Sequence, residues 1–228
     1  MEHSAFSACS AVSFHGVRMA MTRKNQYHHG DLKNALIQAG IEILSREGVN
    51  ALSLRKVARK AGVSHAAPYA HFADKQALVA AISTEGYKEI YEKVYDAVQR
   101  HQGEPLRQLV EAAWAYVEFA LTDPDHFKIT LSGVVEKEKD YPAFVEIAQK
   151  SFNLVVELVA AGQRAGILRE GPPDLVAVSV WGLVHGFALL VLEDQISHTL
   201  LDRYTLKEML IFSLDQITTV DIDPQAFV

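Results

Sequence analysis

Between Leu52 and Lys75 the sequence gathers side chains suited to holding anions and reading polar edges. Arg55, Lys56, Arg59, Lys60 and Lys75 are cationic, while Ser53, Ser64, His65, Tyr69 and His71 carry neutral polar groups. Guanidinium and ammonium groups neutralise phosphate; hydroxyl, imidazole and phenol groups fix a nucleic-acid backbone or reach a base edge. This is binding chemistry. No Gly-rich phosphate loop, nucleophile elbow, HExxH or paired-Cys pattern occurs anywhere in the chain, so an enzyme is not expected. His126, His185 and His198 are dispersed near apolar residues, where a satisfied core or surface histidine is the better reading. His28 and His29 are adjacent and so point apart, with no Cys or carboxylate cluster to complete a site; no metal and no cofactor are expected.

The elements that must position these groups are short helices. Leu54, Val57, Ala58 and Ala61 fall at i, i+3, i+4 and i+7, an apolar stripe that leaves the four cations of the same segment facing water. Ser53 is placed to cap this helix, and Gly62 sits where a helix end wants positive φ. Ser64 then reads as the N-cap of a second helix ending near Phe72, with Pro68 and Phe72 sharing its inward face at i, i+4. Two helices joined by a Gly-containing turn, the first basic on its wet side, spell a helix-turn-helix. The second helix would lie in the major groove of duplex DNA.

The run SLRKVARKAGVSHAAPYAHFADKQAL resembles the DNA-binding region of TetR-family transcriptional regulators over roughly residues 31–88. Ala58, Ala61-Gly62-Val63-Ser64, Tyr69, His71-Phe72 and Lys75 carry the likeness. Pro68 departs from it, standing where an aliphatic residue is usual. The resemblance implies DNA contacts from Ser53 and Arg55 at the start of the first helix, and from Ser64, His65, Ala66 and Ala67 leading the second. It also implies backbone contacts from Tyr69 and His71, and a phosphate contact from Lys75. Ala66 and Ala67 can offer only methyl groups, which suit the thymine methyl. Arg23 and Lys24, in the stretch before the first helix, form a basic arm of the kind that follows phosphates or a minor groove.

Charge supports a polyanion at one end. The 228 residues sum to −6, yet residues 18–75 hold 10 Lys and Arg against 4 Asp and Glu, and residues 76–228 hold 12 against 23. A hydrophobic fraction of 49% is ordinary for a folded protein, and the single cysteine, Cys9, fits a reducing, cytoplasmic setting. Residues 1–21 show no periodicity and no secretory pattern; residues 1–24 are expected to form a flexible arm, and Met19 and Met21 offer internal starts.

The remainder reads as helices over 74–100, 106–121, 125–132, 142–165, 174–194 and 205–218, giving an all-α chain of about nine helices. Residues 25–75 are expected to form a three-helix DNA-binding domain and residues 76–228 a helical effector-binding and dimerisation domain. The stretch 174–194 is apolar nearly all round and almost long enough to span a bilayer. His185 at its middle and acids at both ends argue instead for a helix buried in protein, and no membrane partner is expected. Ser179, Gly182 and Gly186 share a stripe that would let another helix approach closely. This helix and the one over 205–218 are expected to pair with their copies in a homodimer, which would read a palindromic operator. Trp181-x-x-x-His185-Gly186 resembles a signature of a subset of TetR-like C-terminal domains. The resemblance further implies a repressor released from its operator by a small effector. A cavity for a largely apolar molecule is expected to be lined by Tyr91, Trp114, Phe119, Phe127, Phe144, Phe152 and Trp181, with Asn153 and His185 orienting it. Control by a protein partner instead of a small molecule is the alternative.

Overall fold

The computed structural model describes residues 29–227; Arg23 and Lys24 lie outside the described residues. The described chain is all-helical, with one isolated antiparallel bridge between Leu168 and Thr218. Helix α1 spans His29–Glu47 and α2 Leu54–Lys60. The long α3 covers Lys75–Arg100, followed by α4 (Pro105–Thr122) and α5 (Pro124–Leu131). Helix α6 runs Pro142–Arg164, α7 Pro173–Leu192, α8 His198–Leu201 and α9 Leu206–Asp215. Nine α-helices are present among the described residues, but not the same nine that periodicity suggests. The four-residue α8 is additional, and the segment 64–72 is not an α-helix.

Sequence punctuation explains most of the boundaries. Asp74 caps α3, its carboxylate accepting from the Ala77 N–H at 2.8 Å. Prolines 105, 124, 142 and 173 open α4, α5, α6 and α7, where a missing N–H costs no helical bond. Thr205 and Glu208 form a reciprocal capping box at the start of α9.

Two main cores are strung along α3. Leu36, Ile41, Leu54, Val57, Phe72, Leu78 and Ile82 build the N-terminal one, which Ile129 of α5 and Phe144 of α6 complete. Ile90, Val94 and Val98 join a second core with Val117, Phe119, Phe127, Leu210, Ile211 and Leu214. The apolar residues of α9 are therefore taken up largely by its own chain, which leaves less of this helix for a partner than its composition suggests. Phe212 is the exception, at 67% exposed.

Helix α5 is fastened to α3 at its closest approach. The His126 Nε2–H donates to the Ile82 carbonyl at 3.0 Å, so this buried histidine is a satisfied core group. One turn on, Gly86 leaves no room for a side chain: a Cβ there would lie 1.9 Å from Thr130 Oγ1. Gly86→Ala should therefore destabilise the protein by about 1–3 kcal/mol, as overpacking does. Adding Thr130→Ala, which removes that unpartnered buried hydroxyl, should recover part of the loss in urea unfolding.

Candidate nucleic-acid interface and helical cavity

The basic helix is built as its sequence implies. The Ser53 hydroxyl accepts from the Lys56 N–H at 3.2 Å, and Leu54, Val57 and Ala58 are buried. At the other end Gly62, at φ 70°, lets its N–H reach the Arg59 carbonyl at 3.2 Å while Val63 N–H reaches Ala58 at 3.0 Å. The outward cations are not equivalent. Lys56 pairs with Glu47 and Lys60 with Glu42, both acids lying on or at the end of α1. The hydrogen bond and charge of Lys60 hold the Glu42 carboxyl below its ordinary pKa. Arg55 and Arg59 are exposed and have no acidic partner among the described residues.

The segment after the turn departs from expectation. Residues 65–66 form a turn and Ala67–Ala70 a 3₁₀ helix, in place of an α-helix from Ser64 to Phe72. Pro68 supplies the reason, because it has no N–H to reach the Ser64 carbonyl four residues back. That carbonyl accepts instead from Ala67 at 3.0 Å, and Tyr69 bonds Ala66 at 3.2 Å, both in the tighter three-residue pattern. Ser64 contributes this carbonyl, and no side-chain cap forms. Pro68 and Phe72 do share the buried face. Ser64, His65, Ala66 and Tyr69 face outward, Tyr69 at 56% exposed, while Ala67, His71 and Lys75 are half-buried. Ser53 and Arg55 are exposed on the neighbouring helix. Every described residue expected to touch DNA is thus exposed or half-buried, on α2, on the segment after it or at the start of α3.

A cavity of about 140 Å³ lies between α3, α4, α6 and α7. Tyr91, Phe152 and Trp181 line it as expected, and Val94, Tyr116, Val155 and Trp181 continue into a smaller chamber of about 50 Å³. Five other residues expected there are placed elsewhere. Phe119 and Phe127 are fully buried core, and Phe144 packs edge-on to Tyr87 at 5.7 Å in the N-terminal core. Trp114 lies under the Lys207 ammonium at 5.9 Å, and Asn153 is exposed. The polar group that sequence reading missed is Tyr116. Its hydroxyl accepts from the Trp181 indole N–H at 3.3 Å and meets His185 Nδ1 at 2.9 Å. Burial raises the pKa of Tyr116 and lowers that of His185, so both are neutral at pH 7.

Helix α7 also turns an apolar stripe outward. Leu175, Val178, Leu189 and Leu190 are exposed, and nothing stands within 4 Å of a Cβ built at Gly182 or Gly186. This is the one helix among the described residues long and apolar enough to cross a membrane, with 28% of it buried within the chain. It is not enclosed on all sides by its own chain.

Comparison with known proteins agrees with this geometry. Residues 36–82 match the family described as bacterial regulatory proteins, tetR family, and residues 109–214 match a tetracyclin repressor-like C-terminal domain. The HTH-type transcriptional regulator YobS of Bacillus subtilis, itself uncharacterised, is 25% identical over 165 residues, 72% of this chain and 81% of YobS. A structure of a protein of unknown function from Rhodococcus sp. RHA1 superposes with a TM-score of 0.68 at 29% identity, covering 85% of this chain and 96% of that one. The fatty acid degradation regulator FadR of Bacillus halodurans shares the fold at a TM-score of 0.65 and 17% identity, over 82% of this chain and 94% of FadR.

The unequal pairing of the cations gives a test. On a duplex selected from random sequence, Arg55→Ala should reduce the slope of log affinity against log salt by about one, the value of a lost phosphate contact. Lys56→Ala, already neutralised by Glu47, should change it by much less. Fluorescence-anisotropy titrations between low and physiological salt separate the two.

Proposed function

The chain belongs to the tetR family of bacterial regulatory proteins, a DNA-binding transcriptional regulator and not an enzyme, and from that premise we propose that it is a cytoplasmic repressor released from a palindromic operator by a small, largely apolar effector. In this reading residues 25–75 bind DNA and residues 76–228 hold the effector and the partner subunit. Ser53, Arg55, Ser64, His65, Tyr69 and Lys75 meet the duplex, with Ala66 and Ala67 against thymine methyls. Arg23 and Lys24 extend the contact along the phosphates, and His71 supports it from the rim.

One observation carries the proposal: α3 belongs to both ends. Leu78 and Ile82 are embedded in the N-terminal core, while Tyr91 and Val94, three to four turns later, wall the cavity. A ligand pressing on the second pair moves the helix that holds the first. It can act only through different affinities for two positions of α3, and a coupling of ~1–3 kcal/mol is typical. Reciprocity follows: saturating operator should weaken effector binding by the same factor, about 5–150-fold, in calorimetry with and without DNA. Equal affinity in both conditions would remove this mechanism.

The homodimer is assigned to residues 174–194 and 205–218. Six of the thirteen exposed large hydrophobic residues among those described fall on these two segments, five of them on α7, so covering them is where pairing stabilises most. A C2 pairing would bring the open positions at Gly182 and Gly186 against a partner helix. Gly182→Leu should yield monomers by sedimentation velocity and lower operator affinity at least tenfold, with the thermal unfolding of each subunit still cooperative.

A further inference from the structure

The cavity also specifies the kind of molecule it takes. We infer that its ligand is uncharged, about one aromatic ring with a short substituent, and makes a single hydrogen bond to the Tyr116 hydroxyl. The inference rests on the effector reading above and narrows it.

Size comes first. A cavity of about 140 Å³ matches the scale at which an apolar protein cavity, on the order of 150 Å³, holds benzene. The adjoining chamber of about 50 Å³ leaves room for a short extension past Tyr116 and Trp181.

Charge comes second. No Asp, Glu, Lys or Arg lines either chamber. The polar side chains that do are tyrosines, Ser151 and Trp181, and the Ser151 hydroxyl proton is already donated to the Ile147 carbonyl at 2.8 Å. His185 stands behind Tyr116, but burial keeps its imidazole neutral at pH 7, so no cation sits in the wall. A carboxylate or ammonium group entering here would give up water without gaining an opposite charge. Lys150 is the nearest cation to consider, its Nζ 4.2 Å from the Tyr91 ring centroid. It is exposed and outside the wall, within reach only of a molecule that protrudes from the mouth.

Polar direction comes third. The Trp181–Tyr116–His185 chain fixes the Tyr116 phenol in the wall that the two chambers share. A hydroxyl has one hydrogen and two lone pairs, so with two partners engaged one position remains for a ligand.

Isothermal titration of the full chain at pH 7 with 4-ethylphenol, ethylbenzene and 4-ethylbenzoate tests the inference. The two neutral probes should bind, and 4-ethylbenzoate should bind at least tenfold more weakly than 4-ethylphenol. Tyr116→Phe should weaken 4-ethylphenol about three- to tenfold, the size of one hydrogen bond, and leave ethylbenzene within twofold. Ala148→Phe, which fills the cavity from α6, should abolish both. Equal or tighter binding of the benzoate overturns the inference, and its loss in Lys150→Met would show an acid held at the mouth instead. Failure of both neutral probes to bind, or their undiminished binding to Ala148→Phe, overturns it as well. Operator affinity measured at saturating 4-ethylphenol keeps the two readings apart. Binding of the predicted pattern with unchanged operator affinity supports the ligand class while removing the effector role.

Discussion

Everything here depends on α3 being one unbroken helix of 26 residues with its two halves buried in different cores. At about 1.5 Å per residue it spans roughly 39 Å, the scale of a small domain. Neither core is complete without it, and the N-terminal core also borrows Ile129 and Phe144 from the body. The junction is therefore a packed joint and not a linker. His126 on the Ile82 carbonyl and the close contact at Gly86 hold α5 to α3 where the two cores meet. Packed interfaces respond to displacement by switching between arrangements, because close-packed side chains do not deform continuously. In the proposed effector mechanism, a small push at Tyr91 would become a movement at the DNA-binding end.

The DNA-binding surface shows how ion pairing edits a charge count. Residues 18–75 carry a clear cationic excess, yet two of the four cations on α2 are tied to Glu42 and Glu47. These exposed pairs contribute little stability. Their effect is to leave Arg55 and Arg59 as the cations of α2 open to phosphate. Arginine, with its fixed fork of donors, is the better of the two for that role.

The longer helices were legible because each carries a 3.6-residue stripe bounded by a cap, a proline or a glycine, whereas the four-residue α8 is too short to show one. The miss at 64–72 has a local cause. A proline one turn into a helix removes one bond in either reading. The missing Ser64–Pro68 bond left the three-residue pattern available, and periodicity over nine residues does not separate the two. The pairing of Lys56 and Lys60 was not legible because their partners lie on another helix. The cavity was legible only in part for a different reason. Periodicity says which side chains point inward, and Phe119, Phe127 and Tyr91 all do; it cannot say whether atoms or space stand in front of them. Nothing in the sequence singles out Tyr116, and only the meeting of α4 with α7 shows its hydroxyl held between Trp181 and His185.

Helix α7 shows why composition alone misleads about environment. A helix apolar on every side is usually enclosed by one medium, either a core or a bilayer. Here the apolar residues answer three different demands. Ala177, Val180, Val184, Phe187 and Ala188 pack into the chain's own cores. Trp181 walls the cavity, and Leu175, Val178 and Leu189 with the two glycines face outward. A bilayer would satisfy the third set but not the first two, since the helix could not leave its cores without exposing Phe187 and Val184 and emptying the cavity wall. Glycines at the outward positions matter where a second backbone comes close. Trp181, 38% exposed, lies between the outward stripe and the cavity, so the wall of the cavity and the face offered to a partner are built on the same side chain.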